Sequence, residues 1–203
     1  MNILSIDTST DWCGISFFKD NQCKKLIEKH IPKKHSEMLP IFFESIIKDS
    51  GFDKNIIDAI AVSIGPGSFT GLRIGLGFSK GLAYALSKPI VPVPTLEVIG
   101  NNHVVEFKDF IVLLYSHRNI VYHQEFVNKK PKDTPKSSVF DKIDLNKNIV
   151  QYGCENLLGS KPFYTTHPSA EVVGNLAIQN FNDWKIDEPF TLTSNYISPF
   201  EIG

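Results

Sequence analysis

Cysteine is scarce and comes in no useful pattern. Cys13, Cys23 and Cys154 are widely spaced, odd in number and form no C-x-x-C pair, which argues against both a disulfide framework and a zinc knuckle. A reducing, cytoplasmic setting is expected. No run of about 18 apolar residues is free of charge; even the most apolar segment carries Arg73 and Lys80, so no membrane span is expected. The opening "MNILSIDTST" has no basic segment ahead of its apolar residues and no small-residue cleavage site, so it does not read as a secretory leader and the mature chain is expected to start at Met1. Positive charge is not in excess either. Lysine and arginine number 21 against 22 aspartates and glutamates, a net charge of −1. Affinity for nucleic acid rests on cations that neutralise phosphates, so a free-standing RNA-binding module is disfavoured. The local exception is "NKKPKDTPK", Asn128 to Lys136, with four lysines; it reads as a solvated loop, with an RNA-facing patch as the alternative.

What remains is ordinary globular material, 203 residues with 42% hydrophobic and 21% charged, enough for one large domain or two lobes. Glycine is the exception. Six of the 13 glycines, at 65, 67, 71, 75, 77 and 81, fall within "SIGPGSFTGLRIGLGFSKGLAYAL", Ser63 to Leu86, which otherwise reads as strand, turn and helix. Each glycine inside a helix costs about 1 kcal/mol relative to alanine. Gly65, Gly67 and Ser68 lie between strand and helix, where backbone amides and the helix dipole favour an anion. Yet a P-loop lysine is missing, and the spacing G-x-G-x-x-x-G is one residue longer than the dinucleotide fingerprint. Contact with an anion or nucleotide and a tight turn are both open readings. Along the helix, Leu72, Leu76, Ser79, Ala83 and Leu86 fall on one side and Ile74, Phe78, Gly81 and Ala85 on another. One face should cover the chain's own sheet. The other would be a costly exposed patch unless something covers it; the small-xxx-small steps Gly71/Gly75 and Gly77/Gly81 suit close approach of another helix, in part from another chain, and Met38 and Ile41 of the preceding helix are placed with that contact.

The elements before and after are legible. Strands are predicted at 2–7, 13–19 and 23–31, then an amphipathic helix in "HSEMLPIFFESIIKDSG" with Ser36 as N-cap and Gly51 as stop, a strand at 59–64, the glycine-rich helix, a strand at 89–94 and a short helix from Thr95. This order, three strands then alternating helix and strand, predicts a ribonuclease H-like lobe. A second, reduced lobe is expected to start near Asn101, with strands at 110–114 and 120–126, a strand at 149–153 and a helix at 169–181. The domain expectation is 1–103 and 104–203. Its opening "VLLYSHRNIVYHQEF" overlays "LSIDTSTDWCGISFF" as strand, polar turn, strand. Asp7 ends the first strand, a position suited to managing magnesium or phosphate; "DTST" is equally a turn in which Asp and Ser accept local backbone bonds. No second carboxylate, serine with a base, or activated cysteine partners it, so paired-acid or triad hydrolysis finds no support.

With "ILSIDTST", "HSEMLP" and "GPGSFTGLRIGLGFSKGLA" in this order, the chain resembles the TsaB (YeaZ) family, specifically over Met1 to about Leu96. The resemblance implies the two-lobed actin/Hsp70/sugar-kinase (ASKHA) fold. It also implies a non-catalytic subunit that pairs with and activates a metal-bearing TsaD paralogue in making threonylcarbamoyladenosine beside the tRNA anticodon, joined by a TsaE-like ATPase. On that reading tRNA is met only through the complex, and the isolated chain is a candidate homodimer. No cofactor of its own is implied, with ATP or ADP at the subunit joint the open alternative. Where family members often carry an Asp-Ala-Arg-like turn, this chain has Tyr115-Ser116-His117-Arg118. The catalytic relative carries two histidines four apart after a similar helix and strand, as metal ligation on one helix face requires; here "VPTLEVIGNN" holds only Glu97, read as a solvated helix residue, with His103 nearby. His30 and His35 are five apart, and His117, His123 and His167 lack ligand spacing, so no metal site is expected. The competing enzyme reading is a small ATPase or phosphotransferase of the ASKHA superfamily that uses Asp7 and the Gly65–Gly71 loop.

Overall fold

The computed structural model describes residues 1–50, 53–102, 105–195 and 197. Strands β1 (Ile3–Asp7), β2 (Trp12–Lys19) and β3 (Gln22–His30) form an antiparallel meander, followed by α1 (His35–Ser50), β4 (Ala59–Gly65), α2 (Phe69–Leu86), β5 (Ile90–Pro94) and α3 (Thr95–Gly100). The sheet order is β3-β2-β1-β4-β5, with β4 parallel to β1 and β5 parallel to β4. This is the predicted ribonuclease H-like lobe. The helix α1 starts at His35, one residue ahead of the expected cap, because the Lys34 carbonyl takes the amides of Glu37 and Met38; Ser36 is therefore inside the first turn. The expected stop, Gly51, and the boundary at His103 and Val104 lie outside the described residues.

The second half supplies β6 (Phe110–His117), β7 (Ile120–Val127), β8 (Lys130–Pro131), β9 (Lys136–Val139), β10 (Asn148–Tyr152), α4 (Glu155–Leu158), β11 (Tyr164–Thr165), α5 (Ala170–Gln179) and α6 (Phe181–Trp184). Its sheet runs β11-β10-β6-β7-β8, with β9 also on β7. The expected helix at 169–181 is interrupted: Ser169 caps α5 through the Glu171 amide, and α5 ends at Gln179, with Asn180 between it and α6.

Strand alternation gives the first sheet two apolar faces. Leu4, Ile6, Ile15, Phe17, Ile60 and Val62 bury one against Leu39, Phe42 and Ile46 of α1 and Leu76 and Ala83 of α2. Ile3, Phe18, Ala61, Val91 and Val93 bury the other against Val172, Val173, Leu176 and Ala177 of α5. Thus α5, although late in the chain, covers the first sheet. Its start is fastened there: the Ala170 amide donates to Glu28 Oε1 at 2.6 Å, and the Ser5 and Ser16 hydroxyls donate to its carbonyl at 2.8 and 3.0 Å. Between the sheets lies α3, with Val98 facing the first core and Leu96 and Ile99 the second, among Phe110, Val112, Phe126 and Val150. Among the described residues no helix is long and apolar enough to cross a membrane.

Candidate functional site

The Asp7 side chain is buried, 1% exposed, and its oxygens are spoken for. They accept from the Ser9 amide and hydroxyl, each at 3.0 Å, and from the Ser63 hydroxyl in a short contact. Burial pushes its carboxyl above the ordinary carboxylate range, against the opposing hydrogen bonds from Ser63 and Ser9. Asp7 therefore ties β1 to β4 and to the turn after it.

That turn answers for half of the glycines. A Cβ on Gly67 would stand 2.3 Å from the Ser9 carbonyl oxygen, one on Gly71 2.0 Å from the Thr8 carbonyl oxygen, and one on Gly75 2.2 Å from Thr8 Oγ1. The Thr8 hydroxyl donates to the Gly71 carbonyl at 2.8 Å, so the turn rests directly on the α2 backbone. Gly65 holds φ +109° with the Asn195 backbone against it. Gly77 and Gly81 differ: nothing among the described residues lies within 4 Å of a Cβ built on either. The expected close step at Gly71/Gly75 is thus a contact with the chain's own turn, whereas the step at Gly77/Gly81 is open.

The helix start is largely committed to local bonds. The Ser68 amide donates to the Ser9 carbonyl at 2.7 Å, and the Ser68 hydroxyl takes the Gly71 amide at 3.2 Å. Gly67 and Ser68 line a cleft of about 720 Å³ between the lobes, while Asp7 and Gly65 do not. Its first-lobe wall is Ser9, Thr10, Asp11 and residues 66–69; its second-lobe wall is residues 114–117 with Tyr122, Tyr152 and Gly153. The two polar turns that overlay in sequence therefore face each other across one cavity. Arg118, with φ 52°, turns the β6–β7 hairpin and is not in the lining. Tyr152 joins the walls. Burial and the nearby Asp11 raise its phenol, while hydrogen bonds with Thr10 and Trp12 oppose the rise.

The residues expected at a partner surface are placed along α1 and α2. Met38, Ile74 and Phe78 are half-buried at the margin of the first core, with Phe78 edge-to-face on Phe43 at 5.8 Å. Ile41 is 50% exposed, and Gly81 and Ala85 are exposed. Beside them, Tyr84 (69% exposed) meets Phe190 (63%) edge-to-face at 5.3 Å, a pair that sequence periodicity could not join because Phe190 arrives on the returning C-terminal segment.

Other expectations need correction. Glu97 is not a solvated helix residue: it is half-buried, and burial raises its carboxyl. The lysine-rich segment is largely exposed, as a solvated loop would be, and two of its four lysines meet carboxylates, Lys132 on Glu125 at 3.0 Å and Lys136 on Asp133, while Lys129 donates to the Val105 carbonyl at 2.7 Å. Only Lys130 lacks such a partner among the described residues. His103 lies outside them; elsewhere, no three His, Cys, Asp or Glu among the described residues cluster as metal ligands.

The family described as "TsaD: tRNA N6-adenosine threonylcarbamoyltransferase" matches residues 29–151. Three curated relatives carry the name tRNA threonylcarbamoyladenosine biosynthesis protein TsaB. The Haemophilus influenzae protein is 28% identical over 64% of this chain, the Escherichia coli protein 38% over 47%, and the Buchnera aphidicola protein 27% over 98%. The chain spans about half the length of the first two, 56% and 41%, and 87% of the third. YeaZ from Pseudomonas aeruginosa superposes with a TM-score of 0.82 at 20% identity, covering 96% of this chain and 99% of that one. Component A of (R)-2-hydroxyglutaryl-CoA dehydratase from Acidaminococcus fermentans follows at TM-score 0.55 and 8% identity, over 90% of this chain and 100% of that one. The fold is the α/β, two-lobed ASKHA type. By sequence over more than half its length, and by fold over nearly all of it, the chain belongs to the TsaD family and within it to the TsaB (YeaZ) proteins.

Proposed function

We propose that this chain is a non-catalytic subunit in the synthesis of threonylcarbamoyladenosine in tRNA, and that it acts by pairing with a metal-bearing TsaD-like paralogue. The observation that carries the proposal is the open side of α2. Gly77 and Gly81 keep a helix surface bare where alanine would be more stable by about 1 kcal/mol at each position. Exposed Tyr84, one turn on from Gly81, and its ring partner Phe190 stand beside it, and aromatic residues are enriched in the buried centres of interfaces. A neighbouring helix laid on that strip reaches the backbone itself and covers the flanking apolar groups.

The commitment of Asp7 to Ser63 and Ser9 supports the non-catalytic part, since a carboxylate held inside the strand ends has no free oxygen for magnesium or phosphate. In this reading a TsaE-like ATPase joins the pair in the cytoplasm, ATP or ADP belongs to the joint between subunits, and tRNA is bound by the assembly. An isolated chain offers the same strip to a second copy. The test is co-elution with the TsaD-like partner on a sizing column. We expect Gly81→Leu to keep or raise the melting midpoint and lose co-elution; persistence of the complex would overturn the assignment of the surface. ATP turnover by the purified chain, abolished by Asp7→Asn, would instead support an ASKHA phosphotransferase and end the non-catalytic reading.

A further inference from the structure

We propose that the outer edge of β3 is a docking strip for an extended acidic peptide, which adds to the first sheet as a further strand. β3 ends the sheet order β3-β2-β1-β4-β5, and along its nine residues no strand among the described residues pairs with its outer side. An edge of this kind presents alternate amides and carbonyls to whatever arrives. Strand addition at such an edge draws affinity from main-chain bonds and specificity from alternate side chains.

The side chains along this edge favour one sign of charge. Residues 19–34 hold six lysines against two carboxylates, in a chain whose net charge is −1. Lys24, Lys29 and His30 are exposed on the strand, and Lys33 and Lys34 continue the line beyond it. None of these four lysines is ion-paired with a carboxylate among the described residues: Lys24 donates to Gln22 Oε1 at 2.7 Å, and Lys29 lies 5.8 Å from the Phe42 ring centroid. The strand's own carboxylate is withdrawn from the edge, because Glu28 Oε1 takes the Ala170 amide at 2.6 Å and Oε2 faces His167 at 3.6 Å. Midway between the lysines stands Leu26, 38% exposed.

Edge lysines commonly serve only to repel other strands. That role asks for charge alone, whereas an exposed leucine at mid-strand works against it and lysines past the strand end add nothing to it. A second copy of this chain is a poor occupant, since two edges so rich in lysine repel. A nucleic-acid backbone would meet the charges but leave the main-chain groups and Leu26 unanswered. An acidic segment with apolar residues at its centre satisfies all three. The strip includes none of the residues assigned above to pairing with the TsaD-like subunit.

The experiment titrates the full chain with probes matched to the nine-residue length of β3: a glutamate-rich peptide with Val-Leu-Val at its centre, the same peptide N-methylated on its central amides, polyglutamate, and oligouridine. Calorimetry reads affinity, and amide hydrogen exchange reads the place. We expect saturable binding of the first peptide that weakens as salt rises and slows exchange within residues 22–30. Methylation should abolish it, since neither edge of the peptide can then donate to the sheet, and polyglutamate and oligouridine should bind more weakly. Lys24→Glu combined with Lys29→Glu should weaken the first peptide about tenfold. Should that variant melt earlier, Lys33→Glu combined with Lys34→Glu takes its place, because both lie outside the strand, and should weaken binding about threefold or more. Absence of saturable binding overturns the proposal, as does binding that survives methylation, polyglutamate or oligouridine matching the peptide, slowed exchange only outside β3, or affinity indifferent to the charge reversal used.

Discussion

Thr8 is the side chain on which the glycine-rich helix turns. Its carbonyl and hydroxyl occupy the space that side chains at Gly71 and Gly75 would need, while a side chain at Gly77 or Gly81, further along the helix, would meet nothing among the described residues. Substitutions of one kind along one helix should therefore have opposite signs. We expect Gly77→Ala and Gly81→Ala each to stabilise the isolated chain by about 0.5–1 kcal/mol through helix propensity. Gly71→Ala and Gly75→Ala should each destabilise it by about 1–3 kcal/mol, because backbone must move to admit a methyl group. Thermal melts of the four variants check this, and a uniform sign across them would refute the division of α2 into a packed half and an open half. Asp7 makes a second case at this scale. Its carboxyl is raised in the folded chain, so folded protein takes up the proton before unfolded protein does. Stability from this residue therefore increases as pH falls through the folded value and is complete below the ordinary value of 3.8. Asp7→Asn should flatten that part of the profile in urea midpoints measured between pH 7 and 3.5.

At the scale of elements, charge fastens the segment that links β7 to β9. Glu125 takes Lys147 and Lys132, and those two bonds hold its carboxyl at about 2. Because its folded value lies below the ordinary 4.5, the contribution is present above that value and lost as pH falls toward 2. The pair is partly exposed, so the effect is local and salt-sensitive. Glu125→Gln should speed hydrogen exchange in residues 128–136 with little change in the global melting midpoint; unchanged exchange would show that the lysines do not anchor the segment. The elements of the first lobe were legible because each carries its own signal: short apolar runs bounded by polar turns in β1 and β2, and the Leu39, Phe42, Phe43, Ile46 spacing in α1. The interruption of the last helix at Asn180 was not legible, since Ile178 and Phe181 keep the apolar spacing across it. Nor did composition reveal that Lys132 would be paired, because Glu125 lies outside the lysine-rich stretch and meets it only through the pairing of β7 with β8.

Taken as a whole molecule, the site was half legible. The Ser9–Asp11 turn and the Tyr115–His117 turn are each visible as polar breaks between strands, and their structural repeat is visible as well. That they enclose one cleft follows from α3 setting one sheet against the other, a long-range arrangement with no local signature. The placement of α5 is of the same kind. Its fastening to Glu28, Ser5 and Ser16, and the stacking of His167 on Trp12 at 3.9 Å between ring centroids, carry the chain back to its beginning. We expect a chain ending at residue 165 to expose the face of Ile3, Phe18, Ala61, Val91 and Val93 and to sediment as aggregate, where the full chain stays in the supernatant. A truncated chain that remained monomeric and cooperative would show that this face needs no cover.

The same return path sets an order of events during synthesis. The sheet that opens the sequence has all its strands once Pro94 has left the ribosome, yet the helix that covers its second face ends at Gln179. At about 5–20 residues per second, the interval is on the order of several seconds. Throughout it the nascent first lobe carries an uncovered apolar face, and whatever attends the emerging chain has to shield that face until its last long helix arrives.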